Sequence, residues 1–292
     1  MVGTSPDSVK RLLVFTDLDA TLLDHHDYSW EPARPAIEAL QTDNSPLILC
    51  SSKTLAEMID LAKELNTEAP IVAENGAFIA IPTGHPLAAQ LSSDSTYENY
   101  KIKLEGASRE HILKISDALR RDCNYQYQGF SDWTPSELAK KTGLSLEAAE
   151  RAAQRLATEP ILWQDTPERW QLFAEALGTE GIQAIRGGRF IHLMGQTDKA
   201  HGMLQLVSYY RALHPDISWT TVALGDSPND AGMISAADIG VIIPNPHRDE
   251  PLQIDASHII RAPHPGPLGW NSVISDLVHS YSKQDVRISK DG

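Results

Sequence analysis

Between residues 12 and 81 short all-apolar runs alternate with longer stretches whose apolar positions recur every three or four residues. Leu12–Phe15, Pro46–Cys50, Pro70–Ala73 and Ala77–Ile81 carry no polar position, which predicts strands buried on both faces. Pro32–Gln41 and Thr54–Leu65 predict helices; in the second, Leu55, Met58, Ile59, Ala62 and Leu65 share one stripe. The rhythm returns near the C-terminus. Helices are expected over Lys199–Tyr210, Asp230–Ala237 and Gly269–His279, with strands at Thr220–Leu224 and Ile239–Ile243. Such alternation predicts an α/β protein with a Rossmann-like, doubly wound parallel sheet.

The middle of the chain breaks this rhythm. Ile112–Arg121 reads as a helix, and Thr134-Pro135-Ser136-Glu137 is a capping box that opens another. An Ala-rich helix runs from Ser145 to about Ala157, while Ile161–Trp163, Trp170–Ala174 and Arg189–Met194 read as strands. The pattern predicts a discontinuous core, residues 10–82 and 191–282, interrupted by an α+β domain over 83–190.

Charge narrows the partners. The formal net charge is -14, which opposes nonspecific binding to nucleic acid or to anionic membrane surfaces. Thr142–Ala149 has the cadence of a helix-turn-helix, but Glu147, Glu150 and Glu159 offset Arg151 and Arg155 there. An anionic substrate would need a metal ion or local Lys and Arg to reverse the sign. Cys50 and Cys123 lie far apart and suggest neither a disulfide framework nor zinc. No apolar stretch approaches the roughly 18 residues of a membrane span, and no signal-like segment precedes Asp17. A cytoplasmic location is the expectation, and oligomeric state is not indicated.

Candidate chemistry sits where strands end. Asp17-Leu18-Asp19-Ala20-Thr21 follows the first strand; side chains two apart share a face, so both acids point to one site if the strand geometry continues. Such a pair suits metal binding, nucleophilic attack or general acid work, or it is an Asp-rich turn. Ser51-Ser52-Lys53 follows the second strand and reads as a phosphate cradle or an ordinary helix cap. Gly225-Asp226-Ser227-Pro228-Asn229-Asp230 offers two acids and an amide, fit for a hard cation such as Mg²⁺ or for a turn with a cap. Lys199, opening a helix, would offset clustered carboxylates or lie in solvent.

Taken in order, these segments resemble the haloacid dehalogenase superfamily of aspartate-nucleophile phosphatases. Asp17-x-Asp19-x-Thr21 matches its first motif, Ser51 the second, Lys199 the third, and Gly225-Asp226-x-x-Asn229-Asp230 the fourth. The large insert matches the branch with an α+β cap over the site. Ala20 departs from the pattern, standing where the family usually has Gly. The resemblance narrows further to mannosyl-3-phosphoglycerate phosphatases, through Asp24-His25-His26-x-Tyr28-Ser29-Trp30-Glu31-Pro32, Leu49–Thr54, Glu74-Asn75-Gly76 and Gly187-Gly188-Arg189-Phe190-x-His192.

What this resemblance implies is specific. Asp17 would be the nucleophile and Asp19 the general acid and base. Mg²⁺ would be held by Asp17, the carbonyl of Asp19, and Asp226, with Asn229 and Asp230 behind them. Ser51 and Lys199 would hold the phosphoryl oxygens. Ser52, Gly187, Gly188, Arg189 and His192 are candidate substrate contacts, the Gly-Gly-Arg segment being either a specificity element or a hairpin turn. The implied substrate is a phosphorylated sugar–glycerate, mannosyl or glucosyl, released as the compatible solute mannosylglycerate in the first case.

Overall fold

A computed structural model describes residues 9–92, 95–186 and 189–288. The chain begins with β1 (Val9–Thr16), α1 (Arg34–Thr42), β2 (Leu47–Cys50), α2 (Leu55–Glu64), β3 (Ile71–Ala73), β4 (Phe78–Pro82), β5 (Ser95–Tyr97) and β6 (Tyr100–Leu104). The middle contains α3 (Arg109–Cys123), β7 (Tyr127–Gly129), α4 (Pro135–Thr142), α5 (Leu146–Ala152), β8 (Thr158–Trp163), α6 (Pro167–Thr179), β9 (Ile182–Arg186) and β10 (Ile191–Gly195). It ends with α7 (Lys199–Leu213), β11 (Ile217–Gly225), α8 (Ala231–Ala236), β12 (Ile239–Ile242), β13 (Ile259–Arg261) and α9 (Gly266–Ile288).

Among the described residues the larger sheet has the order β13-β12-β11-β1-β2-β3-β4-β6-β5. It is parallel from β13 to β3 and antiparallel beyond. The period of two sorts its core. Leu12 and Val14 face a cluster with Ile37, Met58 and Trp270, while Leu13 and Phe15 face Met203 and Leu206 on the other side. The chain leaves β1 toward β2 on one side and returns as β11 on the other, so the strand order reverses at β1. Thr16 pairs with both Leu49 and Leu224. The residues that follow these strands therefore open into one crevice.

The smaller sheet, β7-β8-β10-β9, is antiparallel throughout. Ile112, Phe173, Leu177 and Leu193 fill one of its faces, and α4 and α5 pack around Phe130 and Trp133.

Three expectations need correction. The predicted domain break at 82/83 falls too early, because β5 and β6 extend the larger sheet. The break at 190/191 is early too, since β10 pairs with β8 and β9. The sheets change after Leu104 and again after Gly195, and those crossings touch: a Cβ on Gly195 would lie 2.3 Å from the Ala107 amide nitrogen. Second, Trp170–Ala174 is helical. The Thr166 hydroxyl caps α6 by accepting from Arg169 N, Pro167 opens the first turn, and Phe173 and Leu177 fall on one buried stripe. Third, the helix from Ser145 stops at Ala152: the Gln154 and Arg155 amides turn to Arg151 O and Ala153 O, and those of Leu156 and Ala157 donate to the Glu74 carboxylate.

Candidate active site

The first strand delivers its acids as the alternation predicts. Asp17 N still bonds Leu224 O at 2.9 Å, as a continuation of the ladder. Leu18 is buried in the core, and Asp17 and Asp19 both line a cavity of about 370 Å³. The chain then turns sharply at Ala20, whose φ is +59°. This left-handed conformation is the one a glycine accepts freely, and it costs an alanine of order 1 kcal/mol.

Beneath the cavity lies a buried ionic cluster. Lys199 Nζ donates to Asp17 Oδ1 at 2.5 Å and to Asp230 Oδ1 at 2.6 Å, with only 1% of the lysine side chain exposed. A sequence reading of Lys199 as solvated is thereby excluded. Asp226, at the end of β11, completes a group in which one oxygen from each of Asp17, Asp226 and Asp230 lies within 4.8 Å of the others. The acids are held unequally. Asp230 Oδ2 accepts from Asp226 N, Ser227 N and Ser227 Oγ, so both its oxygens are occupied. Asp226 accepts from Asn245 Nδ2 at 2.7 Å and Thr21 Oγ1 at 3.4 Å. Among the described residues nothing donates to Asp17 Oδ2.

Charge is unbalanced here. Burial, followed by the neighbouring Asp230 carboxylate, lifts Asp17 to about 8 against the pull of Lys199. Asp226 is also raised, by burial. Lys199 is held above its ordinary value because Asp17 and Asp230 outweigh the cost of burying it. Three hard oxygen ligands with one ammonium between them fit a small divalent cation such as Mg²⁺. Asp17 and Asp226, which line the cavity, are the acids placed to hold it; Asp230, fully buried beneath them, orients Lys199 and the 226–227 backbone.

The other predicted residues divide. Asp19 turns away from the triad and pairs with Lys53 Nζ at 3.0 Å. Ser51 is buried, its hydroxyl accepting from Lys53 N at 3.2 Å, and Ser52 is the serine on the cavity wall. Asn229 donates to Asn75 Oδ1 at 3.1 Å. His192, on β10, lines the cavity from the insert; burial, with the charge of Arg155, pushes it down to about 3, so the ring is neutral. Arg189 does not reach the cavity. It is exposed and donates to the carbonyl of Lys141, while Gly187 and Gly188 lie outside the described residues.

Sequence reasoning missed several wall residues: Asn75, Arg186, Asn245 and Arg248. Asn245 and Arg248 follow β12, the next parallel strand after β11, so the carboxyl-end rule would have reached them. Arg186 ends β9, a strand the apolar pattern did not reveal. Arg248 Nε lies 3.4 Å from Asp226 Oδ2. Arg186 and Arg248 place positive charge on the cavity wall of this acidic protein.

A strand end carrying two acids, a lysine-bridged acid cluster and an inserted α+β layer together define a class. Residues 14–262 match the haloacid dehalogenase-like hydrolases, and the chain belongs to that family. Over 266 residues it is 34% identical to the glucosyl-3-phosphoglycerate/mannosyl-3-phosphoglycerate phosphatase of Methanococcoides burtonii, covering 91% of this chain and 97% of that protein. Two solved structures share the fold. One is a haloalkanoate-superfamily phosphatase from Bacteroides thetaiotaomicron, with TM-score 0.61, 18% identity, and 96% and 98% of the two chains covered. The other is the sucrose-phosphatase of a Synechocystis species in complex with sucrose and phosphate, with TM-score 0.57, 19% identity, and 91% and 98% covered. Among the described residues no helix is long and apolar enough to cross a membrane.

Proposed function

We propose that this protein is a Mg²⁺-dependent phosphomonoesterase acting through an aspartyl-phosphate, and that its substrate is a 2-O-glycosyl-3-phosphoglycerate, mannosyl or glucosyl. The observation that carries this reading is the buried Asp17–Lys199–Asp230 cluster, opening into a cavity walled from the insert by Arg186 and His192. The 34% identical relative, named for the two glycosyl phosphoglycerates, supports the substrate class. On this reading the partner is a small phosphorylated sugar–glycerate and the setting is the cytoplasm.

Asp17 Oδ2 is the attacking atom, since Oδ1 is engaged by Lys199. It attacks phosphorus as the P–O bond to the leaving alkoxide breaks, giving an acyl phosphate. Asp19 protonates the alkoxide and then takes the proton of the hydrolytic water that cleaves the aspartyl-phosphate. Its pairing with Lys53 holds it at the cavity and away from the triad. Lys199 holds the attacking carboxylate and neutralises charge gathering on the phosphoryl oxygens. Ser52, on the cavity wall, and the backbone before α2 bind the phosphoryl group, and the buried Ser51 hydroxyl holds that backbone through Lys53 N. Mg²⁺, held by Asp17 and Asp226 with the Asp19 carbonyl, would screen the repulsion between two anions and stabilise charge in the transition state.

The insert acts as a cap that reads the leaving group. A phosphoglycerate glycoside keeps a carboxylate after the phosphate departs, and Arg186 is the fork-shaped cation positioned to grip it. His192, neutral, offers hydrogen bonds to sugar hydroxyls. Phosphate release with Mg²⁺ across a panel tests the reading. Mannosyl- and glucosyl-3-phosphoglycerate should exceed hexose phosphates by more than tenfold; equal rates would overturn the narrow assignment and leave the phosphatase.

A further inference from the structure

Glu74 belongs to the core, directly after β3, yet its carboxylate is satisfied by the insert. It is fully buried. Oε1 accepts from Leu156 N at 2.8 Å, and Oε2 accepts from Ala157 N at 3.1 Å and Thr158 Oγ1 at 2.6 Å. Two of these donors lie on the turn between α5 and β8, and the third, Thr158, opens β8. A carboxylate removed from water needs such donors, and here they lie on the far side of the core–cap boundary. Neighbouring bonds seat the same turn. Arg155 Nη1 donates to Ser52 O at 3.3 Å, Thr54 Oγ1 to Arg151 O at 2.9 Å, and Tyr97 Oη to Gln154 Oε1 at 2.6 Å.

The residues after Glu74 run straight into the catalytic cluster. Glu74, Asn75 and Gly76 take consecutive left-handed conformations, with φ of 49°, 60° and 86°. Such a run persists only where its surroundings over-determine it. Asn75 N donates to Ser51 O at 2.8 Å, and Asn75 Oδ1 accepts from Asn229. At Gly76 a Cβ would fall 1.9 Å from Asp198 O, immediately before Lys199. One rigid turn thus touches the cap through Glu74, the phosphate end of the site through Asn75, and the lysine helix through Gly76.

We propose that Glu74 is the latch of the cap: a positioning residue that fixes the cap over the crevice and so sets the preference for leaving groups large enough to reach it. The proposal rests on the capped-phosphatase reading above. Because the latch is a contact between two parts of the chain, it also has a readout that needs no substrate.

The experiment uses the full chain with Cys123→Ser and spin labels at Leu146→Cys on α5 and Leu204→Cys on α7, positions 52% and 51% exposed. The parent should give one narrow label-to-label distance. Glu74→Ala should broaden it, Glu74→Gln should restore part of the narrowing, and Thr158→Val, which removes one donor from the cap side, should broaden it less than Glu74→Ala. In parallel, Glu74→Ala should lower kcat/KM for glycosyl-3-phosphoglycerate by about 30-fold, mostly through KM, the equivalent of losing one or two charge-assisted bonds. Hydrolysis of p-nitrophenyl phosphate, too small to span the cap, should stay within about threefold. An unchanged distance distribution in Glu74→Ala, or equal losses on both substrates, would overturn the latch. If the parent hydrolyses p-nitrophenyl phosphate but no glycosyl phosphoglycerate, the substrate reading fails, and the distance measurement still decides the latch.

Discussion

The floor and the roof of the cavity are built on opposite terms. The floor, at the ends of β1 and β11, is buried, ionic and cross-bonded: Lys199 is 1% exposed, and Asp230 has both oxygens occupied. The roof, at the ends of β9 and β10, is partly exposed, with Arg186 open to solvent and His192 half-buried. The floor sits on a parallel sheet covered on both faces, whereas the roof is one face of a small antiparallel sheet covered on the other by α3 and α6. Reacting groups need fixed geometry, and the buried floor provides it. On the proposed reading, groups that meet a leaving group from solution belong where one face of the layer is open, as it is at the roof.

The sharpest way to separate floor from roof is to remove the floor atom proposed to react. Asp17→Asn should reduce phosphate release by about 10⁴-fold or more on every substrate, while leaving the melting temperature unchanged or raised, because an amide replaces a carboxylate already disfavoured by burial. A large loss of stability in this variant would show that Asp17 holds the floor together. Lys199→Met should behave in the opposite sense. Stripping the ammonium leaves buried acids unpaired and should cost about 3–5 kcal/mol in chemical denaturation.

Proton linkage tests the same floor without a mutation. Folding raises Asp17 from an ordinary 3.8 to about 8, so the folded state holds its proton more tightly than the unfolded state. Its contribution to stability is fully present below about 4 and is lost as pH rises through about 8. EDTA-treated protein should therefore melt at lower temperature as pH rises across that window. Mg²⁺ competes with the same proton, so its affinity should increase toward pH 8, as titration calorimetry at several pH values would show. A flat melting profile would mean that the acids are neutralised by some other route.

The roof should respond selectively. Arg186→Ala should cost about 10- to 100-fold in kcat/KM on substrates with a glycerate carboxylate, the range for losing a charge-assisted hydrogen bond, and little on neutral sugar phosphates. Equal losses on both would move carboxylate recognition elsewhere, with Arg248 the next candidate. The smallest effect is expected at the turn between floor and roof. Ala20→Gly relieves the left-handed strain but frees the unfolded chain, for a net gain of about 0.5 kcal/mol. That corresponds to roughly 1–2 °C in a thermal melt.

The same division explains what could be read from the residues. Leu12–Phe15 and Thr220–Leu224 announce themselves because strands buried on both faces are uninterrupted apolar runs, and the acids after them follow at fixed offsets. Asp17, Asp226 and Asp230 were legible on that basis, whereas Lys199, at a helix start, was placed there only by the family resemblance. Asp19 was placed at the right cavity, but its partner Lys53 was not anticipated. The roof was harder. β9 is a half-exposed strand without a clean alternation, and Arg189, chosen for its two preceding glycines, turns instead to Lys141. Trp170–Ala174 misled because aromatic residues favour strands in general, while the local signal was the Thr166-Pro167 helix start. β5 and β6 escaped notice because a short antiparallel meander adds strands to a parallel sheet without the intervening helices that mark the others.

At the crossing between the sheets, where a Cβ on Gly195 would also fall 2.8 Å from Gly106 Cα, the geometry bears on how such a molecule diversifies. Entry to and exit from the insert lie side by side at a neck where backbone meets backbone with no room for a side chain. Everything between the two glycines forms a bubble on the chain, and a core rejoined across that neck would need only a short bridging turn. Material can be lengthened, exchanged or rebuilt inside the bubble without shifting the register of any parallel strand that presents the acids. Core and insert can therefore change at independent rates within one continuous polypeptide.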